Sequence, residues 1–268
     1  MKTRALLLIL LACLVAAPAM AAKLTREQLA LFYGKDSRVK VPVDTMPWQT
    51  IGQLETAGHL RCSGTLVAPD VVLTAGHCFV GKKGRLDPAV SFMLGIDGDT
   101  YDTLVGVKHV YVSQVLLKGI IRHPHSMTIP PAVAPYDFAF VRLSQPAGKE
   151  FGYLPLFQGN AAALKSLLVR NNWRVTQAGY PVDTNGVMMA HKSCQAIELQ
   201  DDGRLGHRCN TLPGDSGSPI LAQQNGKYVV IGLQSSAPSA RDRQRANNMA
   251  LTAPVFGGLL QRFIAGKL

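Results

Sequence analysis

The 268-residue chain is poor in charge. Only 17% of its residues are Asp, Glu, Lys or Arg, against 47% hydrophobic, which excludes an intrinsically disordered polymer and leaves enough apolar surface for a sizeable core. It contains no Cys-x-x-Cys pair and no clustered Cys/His spacing, so no ready zinc site is expected. It has no acidic loop of the kind that holds calcium, and no cofactor is expected. No helix-turn-helix, zinc finger or aromatic-basic interleaving is present, so nucleic acid is not an expected partner. Past the N-terminus no apolar run is long enough to span a bilayer, and stable membrane insertion is not expected. No internal repeat is visible.

Glycine (25) and proline (16) are frequent, a composition that suits many short strands joined by turns. The length allows two compact lobes or one large domain. Residues 1–21 read as a secretory signal: Lys2 and Arg4 form a positive end, Leu6 to Val15 the apolar stretch, and Ala19-Met20-Ala21 a small-x-small cleavage site. A transmembrane anchor and a lipoprotein signal at Leu10-Leu11-Ala12-Cys13 are the alternatives. Export, to a secreted or periplasmic location, agrees with the cysteines. Five are present, Cys13 falls inside the signal, and the four that remain, Cys62, Cys78, Cys194 and Cys209, can pair in three ways in an oxidising compartment. The formal charge of +11 falls to +9 once Lys2 and Arg4 are removed, and so favours anionic surfaces or acidic partners.

Three motifs carry chemistry. Thr211-Leu212-Pro213-Gly214-Asp215-Ser216-Gly217-Ser218-Pro219 sets a serine between two glycines. A solvated turn does not need that; a nucleophile does, because backbone N–H groups must reach a developing oxyanion without Cβ atoms in the way. A plain Gly/Ser/Pro turn is the alternative for this stretch alone. Upstream, Thr74-Ala75-Gly76-His77-Cys78 follows the apolar run Val71-Val72-Leu73, and Tyr136-Asp137-Phe138 heads an alternating segment that continues to Leu143. A serine hydroxyl is a poor nucleophile without a base, and imidazole titrates near neutral pH.

With the order His, Asp, Ser and these contexts, the chain resembles the chymotrypsin-like (trypsin-fold) serine peptidases. Gly-Ser-Pro in place of Gly-Gly-Pro after the serine resembles their secreted bacterial branch, which includes the glutamyl endopeptidases. The resemblance runs from Pro47 to the C-terminus. It implies an all-β fold of two six-stranded antiparallel β-barrels with a C-terminal helix, divided as 46–148 for the N-terminal barrel and 149–268 for the C-terminal barrel and terminal helix. Residues 22–45 are then an N-terminal extension or propeptide. It implies Ser216 as nucleophile, His77 as general base and acid, and Asp137 as the group that fixes the His77 tautomer. The backbone N–H groups of Gly214 and Ser216 would form the oxyanion hole, and Ser235 would bond Asp137. It also implies the disulfides Cys62–Cys78 and Cys194–Cys209, each closing a loop worth about 3 kcal/mol in the chain-entropy account. The expected activity is hydrolysis of protein or peptide substrates through an acyl-enzyme. A catalytically inactive binding protein that offers its basic surface to anionic partners is the second reading.

The substrate pocket is expected at Asn210, Thr211, Gln234, Ser235, Ser236 and Ala237. Asn210 stands where trypsin carries the aspartate that selects Lys and Arg, which argues against that preference. Thr211 matches a threonine of the glutamyl endopeptidases, but Gln234 stands in place of their histidine. An uncharged, polar-floored pocket is therefore expected. Arg241, Arg243 and Arg245 read either as a focus for acidic substrate or as a solvated loop partly neutralised by Asp242. His123 and His125 read as a metal pair or, lacking a third ligand, as a polar loop. In zymogen-type members the aspartate before the nucleophile pairs with a newly freed amine. By that analogy, cleavage of Arg38–Val39 would activate the chain through Asp215, although the Ile-Ile-Gly-Gly start is absent. N-terminal sequencing of an active form beginning at Ala22 or Lys23 would sink that hypothesis.

Overall fold

A computed structural model describes Leu29 and residues 31–81, 85–123, 127–239, 241–243 and 245–268. The signal at 1–21 with Cys13, residues 82–84, and His125 lie outside the described residues. The first barrel closes in the order β2 (Ile51–Thr56), β3 (Arg61–Ala68), β4 (Val71–Thr74), β9 (Ala139–Leu143), β6 (Thr103–Val112), β5 (Ala89–Leu94) and back to β2. The apolar run Val71-Val72-Leu73 becomes β4, buried along its whole length because β3 and β9 flank it. Ile51, Leu54, Leu66, Phe92, Leu94 and Phe140 fill the interior. Between β6 and β9 stand the short helix α1 (Gln114–Gly119), which Ser113 caps by accepting from the Val115 N–H, and a two-strand ribbon of β7 (Ile121–Arg122) and β8 (Met127–Thr128).

The second barrel is a ring of β10 (Arg174–Gly179), β13 (Pro219–Gln224), β14 (Lys227–Ser236), β15 (Asn248–Thr252), β12 (Arg204–His207) and β11 (Met189–Leu199). β11 serves two partners: its first half pairs β10, and its second half, from Ala196 on, pairs β12 across a bulge between Ala196 and Glu198, which closes the ring. The connection between barrels carries the turn α2 (Gly148–Phe151) and the helix α3 (Ala161–Arg170), capped by the Asn160 carboxamide.

Each chain end crosses to the other lobe. The C-terminal helix α4 (Ala253–Ile264) has Pro254 in its first turn and packs Phe256 and Phe263 against the first barrel, with Phe138–Phe256 and Phe140–Phe263 centroids both 5.6 Å apart. Arg142 of β9 bonds Asp70 at 2.6 Å and caps the carbonyls of Phe263 and Ile264. At the other end β1 (Val39–Lys40) adds to β11 of the second barrel, pairing Val39 with Ala190. Phe32 and Val41 are buried there. The sequence pattern does not anticipate this, since it treats 22–45 as an extension. It also gives no sign of β12, β13 and β15, and a 3-10 turn, Trp48–Thr50, precedes β2.

Candidate active site

His77 and Asp137 meet because β4 and β9 are paired. Thr74 faces Ala139 at the end of this ladder, so the residues that leave each strand remain neighbours. The chain leaves β4 in a 3-10 turn, Gly76–Phe79, tied to β3 by the Cys62–Cys78 disulfide. Asp137 closes a second 3-10 turn, Ala134–Tyr136, and is fully buried. Its carboxylate accepts three donors. The His77 backbone N–H reaches Oδ1 at 2.7 Å, the His77 ring Nδ1 lies 2.9 Å from Oδ2, and the Ser235 hydroxyl donates to Oδ2 at 2.5 Å. With Nδ1–H donated inward, the free lone pair of His77 is on Nε2. Burial opposes the charged ring, but the Asp137 charge and hydrogen bond outweigh it and hold the His77 pKa above its ordinary value.

Ser216 comes from the second barrel, on the loop that runs from Cys209 to β13. The Cys194–Cys209 disulfide anchors the start of that loop. Its path depends on two glycines with positive φ, Gly214 at 98° and Gly217 at 80°. A Cβ on Gly214 would stand 2.4 Å from the Tyr180 carbonyl, and one on Gly217 would stand 2.1 Å from Thr74 Oγ1. The second contact seats the nucleophile loop on the end of β4, three residues before His77. Ser63, next to Cys62 on β3, completes the seat. Its N–H donates to Ser216 O at 2.9 Å, its hydroxyl donates to Gly214 O at 2.8 Å and accepts from the Tyr180 N–H at 2.8 Å. Sequence reasoning missed Ser63 and Thr74; the hint for Ser63 is only its place beside a paired cysteine. The Asp215 N–H donates to Leu212 O and the Gly217 N–H to Gln234 O. Among the described residues, the N–H groups of Gly214 and Ser216 have no protein acceptor, the condition an oxyanion hole requires.

Asp215 is buried and accepts from the Leu212 N–H at 2.9 Å and the Thr211 hydroxyl at 3.3 Å. Burial raises its pKa to about 7, against the lowering effect of those bonds and the Arg38 charge. Arg38 does not sit on an open cleavage loop. Its guanidinium is buried and paired with Asp183 at 2.7 Å and Asp36 at 2.9 Å.

A pocket of about 320 Å³ opens beside Ser216. Of the expected lining, it brings together Thr211, Gln234, Ser235 and Ala237, while Ser236 lines the adjoining cleft with His77. Asn210 is turned elsewhere: its carboxamide accepts from the Tyr33 N–H and donates to Lys35 O. The reason is the N-terminal segment, which offers backbone partners that a floor residue facing solvent would lack. Leu31 of that segment also lines the pocket, a residue no motif singled out. Behind Gln234 lies His207, fully buried, its pKa pushed down to about 3 by burial and by the Arg243 charge. Of the three loop arginines, Arg243 departs from the solvated reading. It is buried, bonds Asn248 Oδ1 at 2.5 Å and stacks 4.7 Å over the Tyr33 ring, whereas Arg241 and Arg245 are exposed. His123 bonds the Thr128 hydroxyl at 3.0 Å, as a polar loop residue does. Cys62, His77 and Cys78 are close enough to resemble a metal cluster, but the two sulfurs are joined to each other.

Two closed antiparallel barrels with a terminal helix define the trypsin fold, and the cleft lined by His77 adjoins the pocket lined by Ser216, the two sharing Ser235 and Ala237. The trypsin family model matches residues 37–257, and the chain belongs to that family. It is 26% identical over 207 residues to a glutamyl endopeptidase of Bacillus licheniformis, a match that covers 76% of this chain and 58% of that relative's length. A solved Glu endopeptidase in complex with MPD superposes with a TM-score of 0.66 at 21% identity over 88% of this chain and 99% of that one. Among the described residues no helix is long and apolar enough to cross a membrane.

Proposed function

We propose that the chain is an exported serine endopeptidase. The observation that carries this reading is that the cleft of the oriented His77–Asp137 pair adjoins the Ser216 pocket, the two sharing Ser235 and Ala237, beside two N–H groups with no acceptor among the described residues. His77 Nε2 takes the Ser216 proton as Oγ attacks the peptide carbonyl. The Gly214 and Ser216 N–H groups receive the oxyanion, and Asp137 stabilises the imidazolium. His77 then passes its proton to the leaving amine, the C–N bond breaks, and an acyl-enzyme remains. Water, deprotonated by His77, attacks the ester; the acid product leaves and the serine regains its proton.

The substrate is a protein or peptide. The residue on the amino side of the cleaved bond is uncharged, because among the described residues no ionisable side chain lines the pocket beside Ser216. Gln234 and Thr211 give that lining neutral polar groups. Residues 1–21 act as the export signal, 46–148 as the barrel that carries base and acid, and 149–268 as the barrel that carries nucleophile and pocket. Reaction of the purified chain with a fluorophosphonate probe tests the reading, with Ser216→Ala beside it. Labelling that vanishes in the variant is expected. Absence of labelling in the parent chain rejects the peptidase reading in favour of a binding protein.

A further inference from the structure

The geometry points to the segment Leu31–Arg38 as a retained wall of the primary substrate pocket, which sets the size of the side chain accepted there, and not as a removable pro-segment. This rests on the peptidase reading above. Three observations carry it. First, Leu31 lines the pocket together with Leu212, Pro213, Ala237 and Pro238, and adds an apolar side chain to a lining that also holds the polar Thr211 and Gln234. Second, the segment is bonded into the pocket's back. The Tyr33 N–H and Lys35 carbonyl satisfy both ends of the Asn210 carboxamide at 3.3 and 2.9 Å, and the Tyr33 hydroxyl donates to Ala246 O at 2.8 Å.

Third, the segment covers groups that would be left in an untenable state without it. The buried Arg243 guanidinium rests on the Tyr33 ring, and among the described residues its Nε and Nη2 have no hydrogen-bond partner. Asp183, itself buried, is paired with Arg38. The Asp183 loop also braces the nucleophile loop, since the Val182 N–H donates to Pro213 O at 2.9 Å. Removing 31–38 would uncover one buried cation and orphan one buried anion, each a costly change. Retention follows from the same contacts that shape the pocket.

A wall and a plug make different predictions, which separates this inference from autoinhibition. Truncating a wall residue changes the ratio between substrates; truncating a plug raises all of them together. The test uses fluorogenic peptides that differ only in the residue before the cleaved bond, Val against Phe, on the full chain and on Leu31→Ala and Leu31→Trp. One or two methylenes in an apolar pocket discriminate by roughly tenfold or more. We expect the Phe/Val ratio of kcat/KM to rise about tenfold in Leu31→Ala and to fall in Leu31→Trp. N-terminal sequencing of the exported protein should give a start at or before Leu31, and a chain begun at Val39 should lose activity. A secreted form that starts at Val39, a Val39 chain that gains activity, or a ratio unmoved by both Leu31 substitutions each overturns the inference. If the parent chain takes the fluorophosphonate label and the ratio does not move, the wall alone fails; if it takes no label, the peptidase reading fails and the wall with it.

Discussion

The two barrels build their halves of the site by different means. The first holds His77 and Asp137 through side-chain bonds among buried groups: three donors converge on one carboxylate, and one disulfide fixes the turn. The second holds Ser216 through backbone shape, with two positive-φ glycines and contacts so close that a Cβ would collide. Side-chain bonds tune the protonation of a base, whereas close-packed backbone aims N–H groups. Each half is made of what its task needs. Ser63 joins the halves, because one side chain from the first barrel bonds both Gly214 and Tyr180 of the second.

Substitutions on either side of this division should therefore fail differently. His77→Ala removes the base and should lower kcat by about a millionfold. The loss should appear in turnover of a peptide ester with thermal stability little changed. Gly214→Ala strikes the backbone half. Its φ of 98° and the Tyr180 carbonyl leave no room for a Cβ, so the N–H must move off the oxyanion, with a loss of about 10²–10³ in kcat and little change in KM. Ser63→Ala strikes the joint. It leaves the Tyr180 N–H and Gly214 carbonyl without their partner, a cost of about 1–3 kcal/mol in chemical denaturation. An unchanged denaturation midpoint would show that the joint carries no load.

A further prediction concerns pH. The folded pKa of Asp215, about 7, lies above the unfolded value near 3.8. The stability held by its neutral form is therefore fully present below that unfolded value and is lost as pH rises through about 7. Relative to Asp215→Asn, the parent should lose Tm between roughly pH 4 and 7. Parallel Tm profiles would contradict the burial of that carboxyl. For activity, the raised pKa of His77 places the acid limb of kcat/KM above the ordinary histidine value.

The parts of the site legible in the sequence were those whose residue types are unusual for their place. A serine between glycines, a histidine after an apolar strand, and an aspartate at a strand's head have few structural reasons to exist. The apolar run Val71–Leu73 likewise announced its strand. The strands β12, β13 and β15 were not legible: Arg204–His207 and Asn248–Thr252 are short and mixed in polarity, and are strands because β11 and β14 offer them partners. The role of Leu31–Arg38 was invisible for the same reason. Its side chains are ordinary, and only the folded second barrel puts an asparagine, a buried arginine and a buried aspartate where they need that segment. Asn210 shows the limit of reading by position: the residue stands where a floor was expected, yet its bonds are to Tyr33 and Lys35.

If the side-chain half and the backbone half act on one serine, rapid mixing of the purified chain with an activated ester should show it. A burst of about one acyl group per chain before steady turnover is expected, absent in Ser216→Ala and in His77→Ala, and slowed in Gly214→Ala. A burst that survives Ser216→Ala, or one indifferent to His77, would contradict it.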